Sequence, residues 1–271
     1  MSNCDSCPTK ENCNSKEECM IENNPNNHIK KVIAVMSGKG GVGKSTVTTL
    51  IAKSLRKKGY RVGILDADIT GPSIPRLMNV SDQKALGGEF GVIPVQSPEG
   101  IDIMSLNLLV DDEERPVIWR GPIISGTVKQ FWTDVFWGEL DYLIIDMPPG
   151  TGDVALTVMQ FIPIHGAIVV STPHEMVSMI VAKSINMAKT MNIPILGIVE
   201  NMSYITCPDC NKKIKLFEDQ DLENYLHRMD VELLGELPMC PSLANASHYD
   251  DLNDPVVKGT MDTIIHTLSI K

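Results

Sequence analysis

The chain has 271 residues, 43% of them hydrophobic, a net charge of −10 and a mean hydropathy of −0.01. That is enough chain for one large α/β domain with its own core, and the acidic balance argues against a nucleic-acid face as the main partner surface. No apolar run reaches the length of a membrane span and the N-terminus has no apolar signal core, so the expected setting is the cytoplasm, with neither membrane nor nucleic acid as partner.

Residues 1–29 hold Cys4, Cys7, Cys13 and Cys19 among Asn, Glu and Lys, with few apolar residues. Such a segment cannot bury enough surface to fold alone. It reads as a disordered tail or as a small fold organised by a metal, with residues 22–28 as a linker. From 30 to 271, strand-like runs near 31–36, 61–65, 101–105, 141–145, 166–171, 195–200 and 231–235 alternate with helical stretches near 44–58, 120–137, 152–160, 175–191, 219–228 and 255–268. Several strands are continuous Val/Ile/Leu runs, which suits a sheet covered on both faces. The alternation predicts an α/β fold with a doubly wound, mostly parallel sheet whose ligand lies beyond the carboxyl ends of the strands. Phe131, Trp132, Phe136 and Trp137 recur at helical spacing and are expected in the core or on a subunit surface.

The first strand run leads directly into Ser37-Gly-Lys-Gly-Gly-Val-Gly-Lys-Ser-Thr46. From Gly38 to Ser45 this satisfies G-x-x-x-x-G-K-[ST], the phosphate-loop pattern. Gly38, Gly40, Gly41 and Gly43 let the backbone aim successive N–H groups at one anion, and the helix that follows adds the positive end of its dipole. Lys44 is expected at the β- and γ-phosphates and the Ser45 hydroxyl on Mg²⁺. Gly38, Lys39, Gly40, Gly41, Val42, Gly43, Lys44, Ser45 and Thr46 together form the expected ATP cradle. A cation such as Lys39 at a loop tip beside a triphosphate gains most where water is excluded.

Two strand ends supply acids. Leu143-Ile144-Ile145-Asp146 has the form of a Walker-B strand, whose aspartate holds Mg²⁺ through water. In the following Met147–Asp153 segment, Pro148 and Pro149 stiffen the turn and Gly150 can offer its N–H to a γ-phosphate. Asp66 and Asp68 follow the strand near 61–65; Asp66 is assigned to the Mg²⁺ water shell, and the division of labour between the two stays open. After the strand at 195–200, the Asn201 amide can both donate to and accept from a base, while Leu237-Pro238-Met239 can pack on its ring.

Cys207 and Cys210 form a C-x-x-C within 204–217. Two thiolates grip a metal centre from one side only, whereas tetrahedral zinc or a four-iron cluster takes four ligands. A symmetric homodimer supplies the missing pair on its two-fold axis. A redox dithiol and a zinc knuckle completed by other residues are the competing readings.

The loop with its extra Lys39 resembles the deviant-Walker-A ATPases, the class that includes nitrogenase iron protein, MinD, ParA and the arsenite-pump ATPase. That resemblance implies that Lys39 crosses a dimer interface to the partner's nucleotide, that Asp68 positions the attacking water, and that the strand ends at Asn201 and Pro238 contact adenine. Further pieces make the resemblance narrower: Asp66-Ala67-Asp68-Ile69-Thr70-Gly71-Pro72-Ser73, Trp119-Arg120-Gly121-Pro122, Asp146–Asp153, Asn201-Met202-Ser203 and Cys207–Cys210. Over roughly residues 31–240 the chain looks like the Mrp-type iron–sulfur carrier ATPases. The resemblance implies a labile [4Fe–4S] cluster bridging a homodimer through Cys207 and Cys210, passed to iron–sulfur apo-proteins under slow ATP hydrolysis. Cys4, Cys7 and Cys13 match the last three positions of a ferredoxin-like motif found in some relatives. The long-spaced first cysteine is absent and Cys19 can stand in for it, leaving cluster, zinc and disordered tail as alternatives there. Relatives usually carry an acid where Cys240 stands. A positioning ATPase like MinD or ParA and an ATP-gated reductase like nitrogenase iron protein are the rival functions.

Overall fold

The computed structural model describes residues 20–69, 71–110, 121–173, 175–207, 209–210, 212–215, 222–239, 243 and 254–270. The four N-terminal cysteines, Trp119, Arg120 and Cys240 lie outside the described residues. The strands are β1 His28–Ser37, β2 Val62–Asp66, β3 Leu86–Gly88, β4 Gly91–Ile93, β5 Val95–Gln96, β6 Asp102–Met104, β7 Glu139–Asp146, β8 Gly166–Ser171, β9 Ile195–Thr206, β10 Lys213–Lys215 and β11 Leu233–Pro238. The helices are α1 Lys44–Lys57, α2 Ile74–Leu77, α3 Gly121–Thr133, α4 Asp153–Phe161, α5 Glu175–Thr190, α6 Leu222–Met229 and α7 Pro255–Ile270.

One sheet runs in the order β10-β9-β8-β1-β7-β2-β6-β5, and β11 also pairs with β9. The pairings β1–β7, β1–β8, β2–β7, β2–β6, β8–β9 and β11–β9 are parallel, while β10 and β5 join antiparallel. The doubly wound parallel reading therefore holds. β2 lies on one side of β1 and β8 on the other, so the chain reverses direction across β1. That reversal opens the crevice at its carboxyl end.

Alternation along the central strands sorts the core into two layers. Ile33 and Val35 of β1 and Ile64 of β2 pack with Leu50, Ile51 and Leu55 of α1 and Val257, Met261 and Ile264 of α7. Val32, Ala34 and Met36 face the other way, with Val128 and Trp132 of α3, Val158 of α4 and Ile185 of α5. Burying each large apolar side chain contributes about 1.5–3 kcal/mol. α1 has no acid in its first turn and no side-chain cap, while Arg56 and Lys57 in its last turn suit the negative end of the dipole. α7 uses its apolar stripe inside the domain, with Val257, Met261, Ile264, Ile265 and Leu268 buried. Among the described residues no helix is long and apolar enough to cross a membrane.

Several local expectations need correction. The helix expected to reach 137 stops at Thr133, because Val135 and Phe136 turn to meet β4, with the Phe136 N–H donating to Val92 O at 2.9 Å. Phe131, Trp132 and Trp137 are buried core residues, as expected. The expected linker is a docked segment: Asn24 is buried and its Nδ2 donates to Phe90 O at 2.7 Å. Asn27 Nδ2 donates to Val135 O at 2.9 Å, and Trp132 Nε1 donates to Ile21 O at 2.9 Å. The strand expected to end at 200 continues to Thr206 and folds back as β10.

Candidate functional site

The carboxyl ends of β1, β2, β6 and β7, with Asn201 midway along β9, converge on the loop between β1 and α1. Gly41 and Gly43 take left-handed backbone angles, φ 80° and 81°, which glycine adopts without strain. A β-carbon on Gly43 would land on Asn201 Nδ2, so the position excludes a side chain twice over. Three hydrogen bonds hold the loop: Ser37 Oγ donates to Lys39 O, Gly150 N–H to Ser37 O, and Asn201 Nδ2 to Val42 O, each at 2.9 Å. Above Gly41 a β-carbon would meet nothing within 4 Å, and above Gly40 only Pro149 at 4.0 Å. The mouth of the loop is therefore open, and Lys39 is exposed beside it. These features fit a phosphate chain: left-handed glycines, an open cradle and an uncapped helix start behind it.

Beneath the loop the acids gather. Asp146 is fully buried, and Lys44 Nζ lies 2.8 Å from its Oδ1. Ser45 Oγ donates to Asp146 Oδ2 at 2.6 Å and Thr48 Oγ1 lies 3.0 Å from Oδ1. Asp66 stands opposite Asp146 in the β2–β7 register and is 1% exposed. Its Oδ2 accepts from Ser105 Oγ at 3.0 Å and its Oδ1 from the Asp68 N–H at 3.2 Å. Burial and the neighbouring Asp146 charge push the Asp66 carboxyl well above the usual carboxylate range, against the opposing pull of Lys44 and Ser105. Asp68 is partly open and its Oδ2 lies 3.8 Å from Lys44 Nζ. The structure thus brings Lys44, Ser45, Asp66, Asp68 and Asp146 into one cluster, with Asp68 the more accessible of the β2 acids.

Three residues expected to meet the nucleotide are engaged elsewhere. The Gly150 N–H is given to Ser37 O, so it reaches a phosphate only after that bond breaks. Asn201 is buried and bonded to the loop backbone. Pro238 is buried at the end of β11, in register with Tyr204, while Met239 beyond it is exposed. Thr48 and Ser105 are contacts that sequence reasoning missed. Their signals were a hydroxyl one turn after Lys44 and a serine just past the end of the β6 strand run.

The cysteine pair occupies the loop between β9 and β10. Cys207 N–H donates to Lys212 O at 3.0 Å, closing the loop. Both cysteines are free thiols, Cys210 exposed and Cys207 partly so. The N–H groups of Asp209 and Cys210, with the Cys210 thiol, pull the Cys207 thiol below its ordinary value. Two accessible sulfurs, one favoured as thiolate, suit half of a four-thiolate centre. Among the described residues no group of three or more His, Cys, Asp or Glu is placed to hold a metal. On β10, Lys213 and Lys215 reach Glu236 of β11 at 3.5 and 3.0 Å. Burial raises the Glu236 carboxyl, but the hydrogen bond and charge of Lys215, joined by Lys213, hold it below its ordinary value.

Residues 28–268 match the ParA family described as NUBPL iron-transfer P-loop NTPase. The chain is 44% identical to an iron-sulfur cluster carrier protein of Clostridium perfringens, over 98% of either chain. It resembles the solved structure of a nucleotide-binding protein from Archaeoglobus fulgidus in complex with ADP, with a TM-score of 0.73 and 42% identity over 85% of this chain and 91% of that one. The MinC:MinD cell division protein complex of Aquifex aeolicus matches at a TM-score of 0.63 and 19% identity, over 88% of this chain and 96% of that one, a likeness of fold alone.

Proposed function

The chain belongs to the ParA family of NUBPL-type iron-transfer P-loop NTPases, and from that premise we propose that it is an ATP-dependent iron–sulfur cluster carrier. Two copies hold one [4Fe–4S] cluster between their Cys207 and Cys210 thiolates and pass it to apo-proteins in the cytoplasm. The observation that carries this reading is the pair of accessible thiols at the turn of the β9–β10 hairpin, where one subunit offers half a coordination sphere.

In this reading the loop from Gly38 to Thr46 wraps the phosphates, and Lys44 turns from Asp146 towards them. Ser45 and Asp146 would hold Mg²⁺, which would supply neutralisation of phosphate charge. Asp68 orients the attacking water, because phosphoryl transfer mainly needs that oxygen in line. Lys39, exposed at the loop tip, reaches the nucleotide of the partner copy. Asp66, buried behind the others, supports the cluster of acids through Ser105 and the Asp68 N–H. Hydrolysis is slow and changes the dimer geometry rather than driving rapid turnover. For the tail cysteines Cys4, Cys7, Cys13 and Cys19, a second cluster, a zinc site and a tail without metal stand as alternatives.

The burial of the α7 apolar stripe inside the domain disfavours a positioning ATPase that uses a terminal amphipathic helix on membranes. Adjacent cysteines on one hairpin disfavour a reductase whose cluster ligands lie far apart in the chain.

Anaerobic reconstitution tests the proposal. The wild-type chain should exceed Cys207→Ala by about four iron and four sulfide per dimer, while both bind ATP alike. Equal loading of the two proteins, or joint loss of cluster and nucleotide in a folded variant, refutes it.

A further inference from the structure

The nucleotide loop and the cysteine pair are joined by one strand. β9 presents Asn201 to Val42 O, and Cys207 follows directly on Thr206, the last residue of that strand. Between them the strand is irregular. Met202 takes φ 56°, left-handed and strained for a residue with a β-carbon. β11 spans Glu236 to Pro238 opposite Glu200 to Tyr204, so β9 bulges here. Inside the bulge the buried Ser203 Oγ donates to Glu200 Oε2 at 2.6 Å.

The bulge has a definite effect. It turns the Asn201 amide onto the loop, and it brings Met202 Cε to 3.6 Å from where a Gly43 β-carbon would stand. Just past it Tyr204 is buried, and its carbonyl accepts the Met239 N–H at 2.7 Å. Beyond Tyr204 the hairpin projects, with Ile205 and Ile214 paired and exposed. A strained segment thus sits between the nucleotide loop and a buried point from which the cysteines extend.

We propose that the Asn201–Ser203 bulge is the relay between nucleotide and cluster, with Asn201 as a positioning residue that reads the loop through Val42 O. This rests on the carrier reading for its purpose but not for its mechanics. When the loop closes on a triphosphate, Val42 O moves. The amide follows or lets go, and the backbone at Met202 settles into its second arrangement. The hairpin then shifts about Tyr204, changing how Cys207 and Cys210 are presented. The strained bulge is the two-state element that both sites bias.

The test uses the full-length, metal-free chain, saturated with Mg-ADP or with Mg-AMPPNP. Iodoacetamide alkylation rates of Cys207 and Cys210 are read peptide by peptide by mass spectrometry. In the wild type the two nucleotides should give rates differing by about fivefold or more. In Asn201→Ala, at nucleotide levels shown to saturate it, the ratio should fall to about one. Met202→Gly keeps the left-handed backbone available and guards against misfolding of the first variant; its ratio should fall too. Collapse in either folded, saturated variant supports the relay. A wild-type ratio near one, or a ratio kept in both variants, overturns it. Iron and sulfide loading of the wild type is measured in parallel. Normal loading with no nucleotide effect rejects the relay alone, and a nucleotide effect without loading rejects the carrier reading alone.

Discussion

Gly43→Ala probes the joint between the nucleotide loop and β9. At φ 81° a residue with a β-carbon costs about 1–2 kcal/mol more than glycine. The added methyl coincides with Asn201 Nδ2, so the amide must withdraw. Its departure leaves the buried Val42 carbonyl without that donor, at about 1–3 kcal/mol. The two effects give about 2–5 kcal/mol, a large part of a typical domain stability of about 5–15 kcal/mol. The assay is urea denaturation without nucleotide of the wild type, Gly43→Ala, Asn201→Ala and the double variant. Asn201→Ala removes the obstructing amide, so the double variant should cost less than the sum of the singles by about 1 kcal/mol or more. A cost below about 1 kcal/mol for Gly43→Ala, or strict additivity, would refute the contact.

Trp132→Phe removes the donor to Ile21 O and trims a buried ring. It should cost about 0.5–1.5 kcal/mol for the hydrogen bond plus a further cost for the lost ring packing, and speed proteolysis near residues 20–23; an unchanged cleavage rate would contradict the docking. Glu236 is held below its ordinary pKa by Lys215 and Lys213. Its contribution is therefore complete above the unfolded-state value of about 4.3 and is lost as pH falls from there through the lower folded value. The difference in urea midpoint between wild type and Glu236→Gln should shrink over that range, with hydrogen exchange at Ile214 faster in the variant at neutral pH. Identical pH profiles for the two proteins would rule this out.

What the sequence disclosed follows from how local each signal is. Gly38 to Ser45 is legible because its chemistry is written in consecutive residues. Asp146 is legible because an apolar strand ending in an acid places the carboxylate beyond the sheet. Thr48 and Ser105 were missed because a hydroxyl gains its meaning only from the carboxylate that another element brings within 3.0 Å. The β9 extension was missed because Asn201-Met202-Ser203 breaks the alternation, Met202 being left-handed. Asn201 reads as a base reader because its amide chemistry suits one; its bond to the Val42 carbonyl was not legible, because only the fold brings the two together. The segment 22–28 looked like a linker because composition registers the polarity of Asn24 and Asn27 and cannot register which carbonyls they satisfy.

The staple formed by residues 21–27 fixes where the cysteine-bearing leader can be excised. A scissor point after residue 27 would strip Ile21 from Phe161 O and Trp132, and the two asparagine amides from the carbonyls of Phe90 and Val135. The shortened protein would then be damaged for reasons unrelated to its lost thiols. A cut ahead of Met20 removes Cys4, Cys7, Cys13 and Cys19 yet leaves every one of those anchors in place, so that any change in metal content can be attributed to the removed segment itself.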